Sequence, residues 1–206
     1  MRLLITAGPT REFLDPVRFL SNASSGRLGC ALASAAKAAG HEVTLVLGPC
    51  PTEPPDVDEL LRVTSAQEMF EAVAERFESC DVFIAAAAAC DYRPVRRQNT
   101  KIKKASDRLI VEFDRTPDIL AEMSERRTTQ ILVGFCLETE DLERRARSKL
   151  AAKGLDLIVA NGPEAIAADR QDALLISRDG RCERLSEVTK EDLAARILAA
   201  AETLAG

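Results

Sequence analysis

The sequence predicts an α/β fold with three layers: a mostly parallel, Rossmann-like sheet, helices on both of its faces, and a small antiparallel extension. Short apolar runs alternate with helical segments along the chain, which is typical of right-handed βαβ crossovers. These runs do not alternate with polar residues, which indicates strands covered on both faces. A turn signal at residues 178–181 joins two further strands and predicts the antiparallel extension.

The elements follow one another without an interdomain linker or an internal repeat, so residues 1–206 are predicted to form a single domain. The predicted strands are residues 2–7, 42–47, 60–64, 81–87, 109–113, 131–136, 155–160, 173–177 and 182–185. The predicted helices are residues 25–39, 65–79, 116–126, 140–153 and 189–204. Residues 88–108 lack apolar periodicity and are predicted to form one long loop.

Polar residues mark where four of these helices start. Ser25 is predicted to cap the first helix, and Ser65 with Glu68 forms a capping-box pattern for the second. Thr116 precedes a proline and is predicted to cap the third helix, with that proline in the first helical position. A Thr-x-x-Asp pattern starts the last helix at Thr189.

Composition and charge exclude several classes of protein. The hydrophobic fraction of 46% is enough for a substantial core, which argues against disorder. Lysine and arginine number 28 against 33 acidic residues, so the net charge of −5 argues against a nucleic-acid partner. No run of about 18 apolar residues is present, and the N-terminal apolar run is too short for a signal peptide. We therefore expect a cytoplasmic protein without a membrane partner.

The metal-binding and nucleophilic residue types are sparse or scattered. The 6 cysteines show no C-x-x-C spacing, which argues against structural zinc and against a disulfide framework. The chain has 1 histidine, His41, so a histidine-based triad or a multi-histidine metal site is excluded within one chain. Residue pattern alone leaves any metal ligands unknown.

Three predicted strands run into polar or glycine-rich segments, at residues 7–11, 88–97 and 134–139. Ligands of open α/β sheets bind beyond the carboxyl ends of strands, so these segments place the site. The pattern Ser24-Ser25-Gly26-x-x-Gly29 opens a helix, where backbone N–H groups suit a phosphate. The alternative is that the two glycines serve only for close packing of helix against strand.

Basic residues cluster in the long loop at Lys101, Lys103 and Lys104. Because the loop follows a strand end in an otherwise acidic protein, these lysines are candidates for neutralising a nucleoside triphosphate. The alternative is a solvated surface. Lys149 and Lys153 lie on one helix face, where ordinary surface charge near a helix end is the simpler interpretation.

One function that a Rossmann-like fold suggests is that of a dinucleotide-dependent reductase. The G-x-G-x-x-G fingerprint is absent, and Gly48 ends the second strand where an NAD site favours an acidic residue. Both observations count against an NADPH-dependent Rossmann-type reductase. Another alternative is that the protein is a catalytically inactive nucleotide-binding module.

Motifs along almost the whole chain resemble one family. Residues 5–12 read ITAGPTRE and residues 15–26 read DPVRFLSNASSG. Further matches are AAAACDYRP at 86–94, KIKK at 101–104, TPDIL at 116–120, VGFCLET at 133–139 and LDLIVAN at 155–161. In this order they resemble the phosphopantothenoylcysteine synthetases, or phosphopantothenate–cysteine ligases. The departures are conservative: Leu20 stands for the usual isoleucine, and Ala89-Cys90 for Val-Ala or Val-Ser.

The resemblance implies a ligase of coenzyme A biosynthesis that joins 4'-phosphopantothenate to L-cysteine. The reaction passes through an acyl-cytidylate, consumes CTP and releases CMP and pyrophosphate. It implies Mg²⁺ (or Mn²⁺), a homodimer, and no flavin in this chain. The chain starts at the ligase motif, so we expect a stand-alone ligase or an excised domain, with a separate phosphopantothenoylcysteine decarboxylase as a possible partner. The sequence pattern favours CTP over ATP by likeness to bacterial members.

The family's functional residues carry over to matching positions. Asn22 is the expected conversion-step residue, Lys101 supports activation at the nucleotide phosphates, and Arg18 handles substrate. The nucleotide-binding prediction comprises Ser24, Ser25, Gly26, Ala87, Ala88, Asp91, Lys101, Pro117, Asp118, Ile119, Gly134, Phe135, Lys149 and Lys153. Two alternatives stay open: Pro117 also fits a helix start, and Phe135 also fits the core. Intact Asn22 and Lys101 argue against an inactive module.

Overall fold

The computed structural model describes residues 1–104, 108–166 and 168–206, so residues 105–107 of the predicted basic loop lie outside the described residues. The strands are β1 (Arg2–Ala7), β2 (Arg11–Phe13), β3 (Phe19–Ser21), β4 (Glu42–Leu47), β5 (Glu59–Arg62), β6 (Val82–Ala85), β7 (Tyr92–Pro94), β8 (Phe113–Arg115), β9 (Ile131–Leu137), β10 (Leu157–Asn161), β11 (Arg170–Ser177) and β12 (Cys182–Thr189). The helices are α1 (Arg27–Ala38), α2 (Ala66–Arg76), α3 (Ile119–Arg126), α4 (Leu142–Ala152) and α5 (Lys190–Ala205).

The main sheet has the strand order β12-β11-β10-β9-β6-β1-β4-β5. Its six strands from β10 to β5 pair in parallel, while β11 and β12 pair antiparallel at one edge. Numbered along the chain, the parallel strands follow the Rossmann order 3-2-1-4-5-6, which reverses direction between β1 and β6. The predicted fold class is confirmed, and this reversal marks where a ligand crevice forms.

Apolar side chains on the two faces of the sheet form two cores. Leu3 and Ile5 of β1 belong to the core under α1 and α5, while Leu4 between them belongs to the core under α2, α3 and α4. This alternation follows from the two-residue period of a strand, and all three side chains are buried. Burying a leucine or isoleucine side chain contributes roughly 1.5–3 kcal/mol to stability. Side chains on both faces of the strand therefore stabilise the packing of helices on both faces of the sheet.

Two predicted helix starts are confirmed and two are wrong. The Ser65 side chain accepts from the Glu68 N–H, and Thr189 caps α5 in the same way. The predicted Ser25 cap is wrong, because the chain turns left-handed at Gly26 (φ 77°) and α1 begins after it. The predicted cap at Thr116 is also wrong, because Asp118 caps α3 by accepting from the Ala121 N–H.

Two small hairpins lie outside the main sheet. They differ from the predicted loops and strands. The predicted strand at 109–113 is wrong: the strand is Phe113–Arg115, and it pairs antiparallel with Tyr92–Pro94 inside the predicted loop. Residues 109–112 resemble a buried strand in sequence, yet the Ile110 side chain is 89% exposed. The β2–β3 hairpin was not predicted. The β11–β12 hairpin is confirmed.

None of the helices in residues 1–104, 108–166 and 168–206 combines the length and apolar character that a membrane crossing requires.

Candidate functional site

A cavity of about 560 Å³ opens at the reversal point, beyond the carboxyl ends of β1, β6 and β9. An isolated bridge between Pro9 and Ala88 brings two of these strand ends together. Most of the predicted site residues line this cavity: Asn22, Ser24, Ser25, Gly26, Ala87, Ala88, Asp91, Pro117, Asp118, Ile119, Phe135, Lys149 and Lys153. The tertiary structure therefore gathers side chains that are separated by long stretches of sequence.

The loop before α1 lines the cavity with Ser24, Ser25 and Gly26. The Thr52 hydroxyl donates to the Ser25 carbonyl at 2.6 Å and fixes the peptide group between Ser25 and Gly26. A trans peptide points its C=O and N–H in opposite directions, so the Gly26 N–H faces away from Thr52. That N–H has a single contact of 3.4 Å, with Ser24 Oγ. Because this hydrogen bond is long, the Gly26 N–H is able to donate to an incoming phosphate oxygen instead.

Close packing also accounts for part of this glycine pattern. A Cβ placed on Gly29 would lie 2.4 Å from Ala7 Cβ and 3.0 Å from Ala7 Cα. Helix α1 therefore approaches β1 as closely as it does only because residue 29 lacks a side chain. Close packing also applies to Gly26, where a Cβ would lie 2.7 Å from Cys50 Sγ. Gly26 in addition turns the chain left-handed (φ 77°) and leaves its N–H with one long hydrogen bond.

Gly48, at the end of β4, has no room for any side chain. A Cβ there would lie 2.0 Å from the Pro9 carbonyl oxygen, which belongs to the loop after β1. An acidic residue that binds a nicotinamide ribose cannot occupy this position without moving that loop. The crossing of the two loops counts further against a reductase.

The Asn22 side chain reaches across the reversal point. Its Nδ2 donates to the Ala88 carbonyl at 3.1 Å and to the Ala89 carbonyl at 3.0 Å. Both neighbours are acceptors, so the amide must turn its nitrogen towards them. Among the described residues Oδ1 has no hydrogen-bond partner, and it remains available to a ligand.

Arg18 and Lys101 lie outside the cavity wall, in two segments that contact each other. The buried Asp15 carboxylate accepts from the backbone N–H groups of Val17 and Arg18 and from an Arg18 guanidinium nitrogen. Ile102, next to Lys101, donates its N–H to Asp15 at 3.0 Å and accepts from Arg18 at 3.0 Å. This network ties the start of the basic segment to the loop that carries Arg18.

Asp15 belongs to the motif at residues 15–26, but its role was not predicted from sequence. Burial of its carboxylate opposes ionisation, but the N–H donors of Ile102, Val17 and Arg18 outweigh burial and hold its pKa below the usual range. The available signal was local: an aspartate before proline often accepts N–H groups two and three residues later. The bond to Ile102 had no signal in the sequence.

Lys149 and Lys153 define the opposite end of the cavity, on α4 and at its C-terminal end. Lys149 donates to the Phe135 carbonyl at 2.7 Å, and Lys153 donates to both oxygens of the Asp118 carboxylate at 2.8 Å. Burial lowers the pKa of Lys149 below its ordinary value, and the neighbouring Lys153 charge lowers it further. Gly134 does not line the cavity: a Cβ there would meet core side chains at 2.6 and 2.8 Å.

Among the described residues, no three His, Cys, Asp or Glu side chains come together as a metal site. A magnesium ion bound to a nucleotide needs fewer protein ligands, because phosphates and water supply most of its oxygens. The Asp91 carboxylate lines the cavity and is the oxygen donor that fits this arrangement.

The chain matches over residues 1–204 a family described as the DNA/pantothenate metabolism flavoprotein C-terminal domain. The chain belongs to this family. The Coenzyme A biosynthesis bifunctional protein CoaBC of Bacillus subtilis (strain 168) is 43% identical over 201 residues, which cover 95% of this chain and 50% of that protein. The protein of the same name from Thermococcus kodakarensis is 37% identical over 202 residues, which cover 95% of this chain and 49% of that protein.

Solved structures of DNA/pantothenate metabolism flavoprotein domains share the fold. The crystal structure of the C-terminal domain of a CoaBC protein superimposes with a TM-score of 0.85 at 38% identity, covering 98% of this chain and 94% of that chain. The DNA/pantothenate metabolism flavoprotein from Streptococcus pneumoniae gives a TM-score of 0.87 at 26% identity, with 99% of both chains covered. The family inferred from the motifs is confirmed. The chain spans about half the length of the curated CoaBC relatives it matches.

Proposed function

We propose that this domain is a phosphopantothenate–cysteine ligase, which joins 4'-phosphopantothenate to L-cysteine at the expense of CTP. The observation that carries the proposal is the cavity at the reversal point, where Asn22, the Gly26 loop, Asp118 and Lys149 meet. Family membership and relatives named as coenzyme A biosynthesis proteins support the same activity. The reactants place such an enzyme in the cytoplasm, where CTP is available.

The first step activates the substrate. A carboxylate oxygen of 4'-phosphopantothenate attacks the α-phosphorus of CTP, the bond to the β-phosphate oxygen breaks, and pyrophosphate leaves with the released electron pair. Charge grows on the departing phosphates, where cations and N–H groups stabilise it. We propose the Gly26 N–H, in the cavity wall, and Lys101, in the tethered segment that contacts Arg18, for this role.

The second step transfers the acyl group. The cysteine amine attacks the acyl carbon, a tetrahedral oxyanion forms, and its collapse breaks the acyl–phosphate bond and releases CMP. The nitrogen loses a proton to solvent water in this step. Asn22 Oδ1 is placed to accept from the incoming amine, whereas its Nδ2 is held by two carbonyls. For Nδ2 to donate to the oxyanion, the amide must exchange one of those carbonyls for the ligand.

The nucleotide base and the metal have candidate partners. Lys149 holds the Phe135 carbonyl, so we propose that the backbone beside Gly134 and Phe135 selects cytosine over adenine. Pro117, Asp118 and Ile119 form the facing wall. Mg²⁺ or Mn²⁺ supplies charge neutralisation at the phosphates when bound, and Asp91 is the residue we propose to hold it.

We also propose a homodimer. Apolar side chains of the two small hairpins and the adjoining segments are exposed: Val17, Phe19, Leu20, Tyr92, Val95, Ile110 and Phe113. Strands β2 and β7 of the two hairpins contact each other. Exposed apolar side chains on neighbouring elements are typical of a protein interface. We propose that a second enzyme consumes the product. The product carries a free cysteine carboxylate, so that enzyme is a phosphopantothenoylcysteine decarboxylase.

Pyrophosphate release tests the proposal. The protein is mixed with Mg²⁺ and 4'-phosphopantothenate, with CTP or ATP, and with or without cysteine. Release with CTP, followed by CMP and the cysteine adduct, is the expected result; preference for ATP would overturn the choice of base. NADPH binding without pyrophosphate release would favour the reductase, and nucleotide binding without turnover would favour the inactive module.

Two variants test the assigned roles. Asn22→Asp is expected to release pyrophosphate but to accumulate the acyl-cytidylate, because a carboxylate lacks the Nδ2 donor and is repelled by the Ala88 and Ala89 carbonyls that hold the amide in place. Lys101→Gln is expected to lose pyrophosphate release itself. Lys37→Gln is the matched control, since Lys37 lies at the far end of α1 and pairs with Asp58. Normal turnover in either site variant would contradict the role given to that residue.

A further inference from the structure

Lys190, the first residue of α5, places a buried ammonium group in the wall of the cavity. The residue is 5% exposed and lines the cavity beside Ala165 and Arg27. Its helix covers the sheet face opposite to the one that carries Lys149. The Nζ donates to the Ala165 carbonyl at 2.7 Å and to Gln171 Oε1. Both acceptors are neutral.

A buried lysine without a counter-charge is unusual. In the part of the chain that the structure describes, no carboxylate forms an ion pair with Lys190, whereas Arg27 and Lys153, which also line the cavity, each have one. Buried charges in proteins are generally paired with an opposite charge or a ligand. Burial lowers the pKa of this ammonium, and the nearby Arg27 charge lowers it further, while the Glu191 carboxylate opposes both by a smaller amount. The second cation therefore adds to the need for an anion.

Gln171 supplies a second, independent sign of a missing ligand. The residue is 3% exposed, and its Oε1 accepts from Lys190. Its Nε2 has no hydrogen-bond partner, and it is the single buried side-chain nitrogen or oxygen of the described residues left in that condition. Turning the amide over would satisfy neither group, because Nε2 would then face the ammonium. Such orphaned donors in native proteins call for an explanation, and a bound acceptor is one.

Arg27 completes the arrangement. Its guanidinium pairs at 2.8 Å with Asp169, whose side chain is largely exposed, so this bond can be exchanged for a ligand at small cost. Arg27 is also the first residue of α1, directly after Gly26, and both residues line the cavity. Two cations and a helix start therefore line one cavity, and the orphaned N–H₂ group belongs to the residue that accepts from one of those cations.

We propose that Lys190, Gln171 and Arg27 form an anion subsite that binds the terminal phosphate groups of the nucleoside triphosphate. This inference rests on the proposed ligase function for the identity of the nucleotide, and on the cavity itself for the anion. A triphosphate that passes the Gly26 loop reaches this end of the cavity with its β- and γ-phosphates. Pyrophosphate would then leave from a place where its charge is already balanced.

Calorimetric titration of Lys190→Met tests the subsite with three probes: CTP, CMP and inorganic triphosphate. Methionine keeps the length of the side chain and removes its charge. The variant is expected to bind CTP and inorganic triphosphate about 10- to 100-fold more weakly, since it loses charge-assisted hydrogen bonds, while CMP affinity stays within about twofold of the native value. Lys37→Met is the control, because Lys37 lies on the same face at the far end of α1.

Gln171→Glu gives an independent test that does not remove the lysine. The new carboxylate would pair with Lys190 and supply the negative charge that a bound phosphate otherwise supplies. We expect a higher melting temperature without ligand and weaker binding of inorganic triphosphate. Native binding of inorganic triphosphate by both variants would overturn the subsite, as would an equal loss of CMP and CTP affinity or a selective loss of cysteine affinity.

The experiment separates this inference from the proposed function. If the unmodified protein binds inorganic triphosphate and loses it in both variants, but releases no pyrophosphate from CTP, the subsite stands and the ligase proposal fails. If the unmodified protein turns over CTP and binds inorganic triphosphate no better than Lys190→Met, the ligase proposal stands and the subsite fails.

Discussion

The Ile102 backbone N–H donates a 3.0 Å hydrogen bond to the buried carboxylate of Asp15, 87 residues away in sequence. The same carboxylate holds the Arg18 guanidinium at 2.9 Å. One side chain therefore fixes both Arg18 and the start of the basic segment, and neither of these reaches the cavity wall by itself.

Asp15→Asn is expected to lower kcat/KM by about 10- to 100-fold, because it turns an N–H₂ group towards N–H donors and misplaces Arg18 and the basic segment. Steady-state rates measure the effect. The pKa of Asp15 is depressed in the folded state, so its stabilising contribution is complete above the unfolded pKa of about 3.9 and is lost as pH falls through the folded value. The difference in unfolding free energy between the native protein and the variant should therefore shrink below about pH 4, and a pH-independent difference would contradict this role.

Gly29→Ala is expected to destabilise the protein by about 1–3 kcal/mol, because the added Cβ cannot fit 2.4 Å from Ala7 Cβ. Helix α1 must shift, and the Gly26 N–H shifts with it, so CTP affinity should fall as well. Gly40→Ala is the matched comparison: Gly40 has a φ of +82° and no atom near the added Cβ, so it costs about 1–2 kcal/mol of backbone strain alone. Urea denaturation and CTP titration distinguish the two, and equal CTP affinities would contradict the prediction.

Thr52→Val is expected to weaken CTP binding by about threefold to tenfold, because the Ser25 carbonyl loses the hydrogen bond that orients its peptide. Thr52→Ser keeps the hydroxyl and should restore the affinity. The KM for CTP should change more than kcat, since the effect acts on a binding group. If serine and valine behave alike, the hydroxyl has no orienting role.

Compared with the native protein, the Lys149→Met variant is expected to gain stability at neutral pH and to lose that advantage at high pH. The pKa of Lys149 is lowered by burial, so between its folded value and the unfolded value of about 10.4 the unfolded chain binds more protons. In the native protein this makes stability rise with pH across that window, and the variant lacks the rise. Chemical denaturation between pH 7 and pH 10 measures it. Parallel pH curves for the two proteins would contradict the assignment.

Ile110→Asp is expected to shift the proposed homodimer towards the monomer, because it places a charge in the exposed apolar patch of the small hairpins. Ile110→Val retains an apolar side chain and should leave the association unchanged. Sedimentation velocity over a range of concentrations gives the oligomeric state. A native protein that is monomeric at every concentration would remove the homodimer from the proposal.

The sequence determined the layered fold. Continuous apolar runs such as residues 2–7 and 131–136 encode buried parallel strands, because only strands covered on both faces are apolar at every position. Caps at Ser65 and Thr189 are local interactions, and the sequence contained them in full. The Gly26 loop and the Asp118 segment were also predictable as site elements, since both belong to specific motifs.

Tertiary structure alone decided the two small hairpins and the details of the site. Strands of three residues such as Tyr92–Pro94 have no measurable period, and they exist because a distant segment pairs with them. Gly134 is small because two leucine side chains press on it from other elements. Asp15 meets Ile102, and Lys190 meets Gln171, through contacts between segments. Local pattern encodes the period and the ends of each element, whereas packing of the whole sheet decides which ends meet and which charges are left facing a ligand.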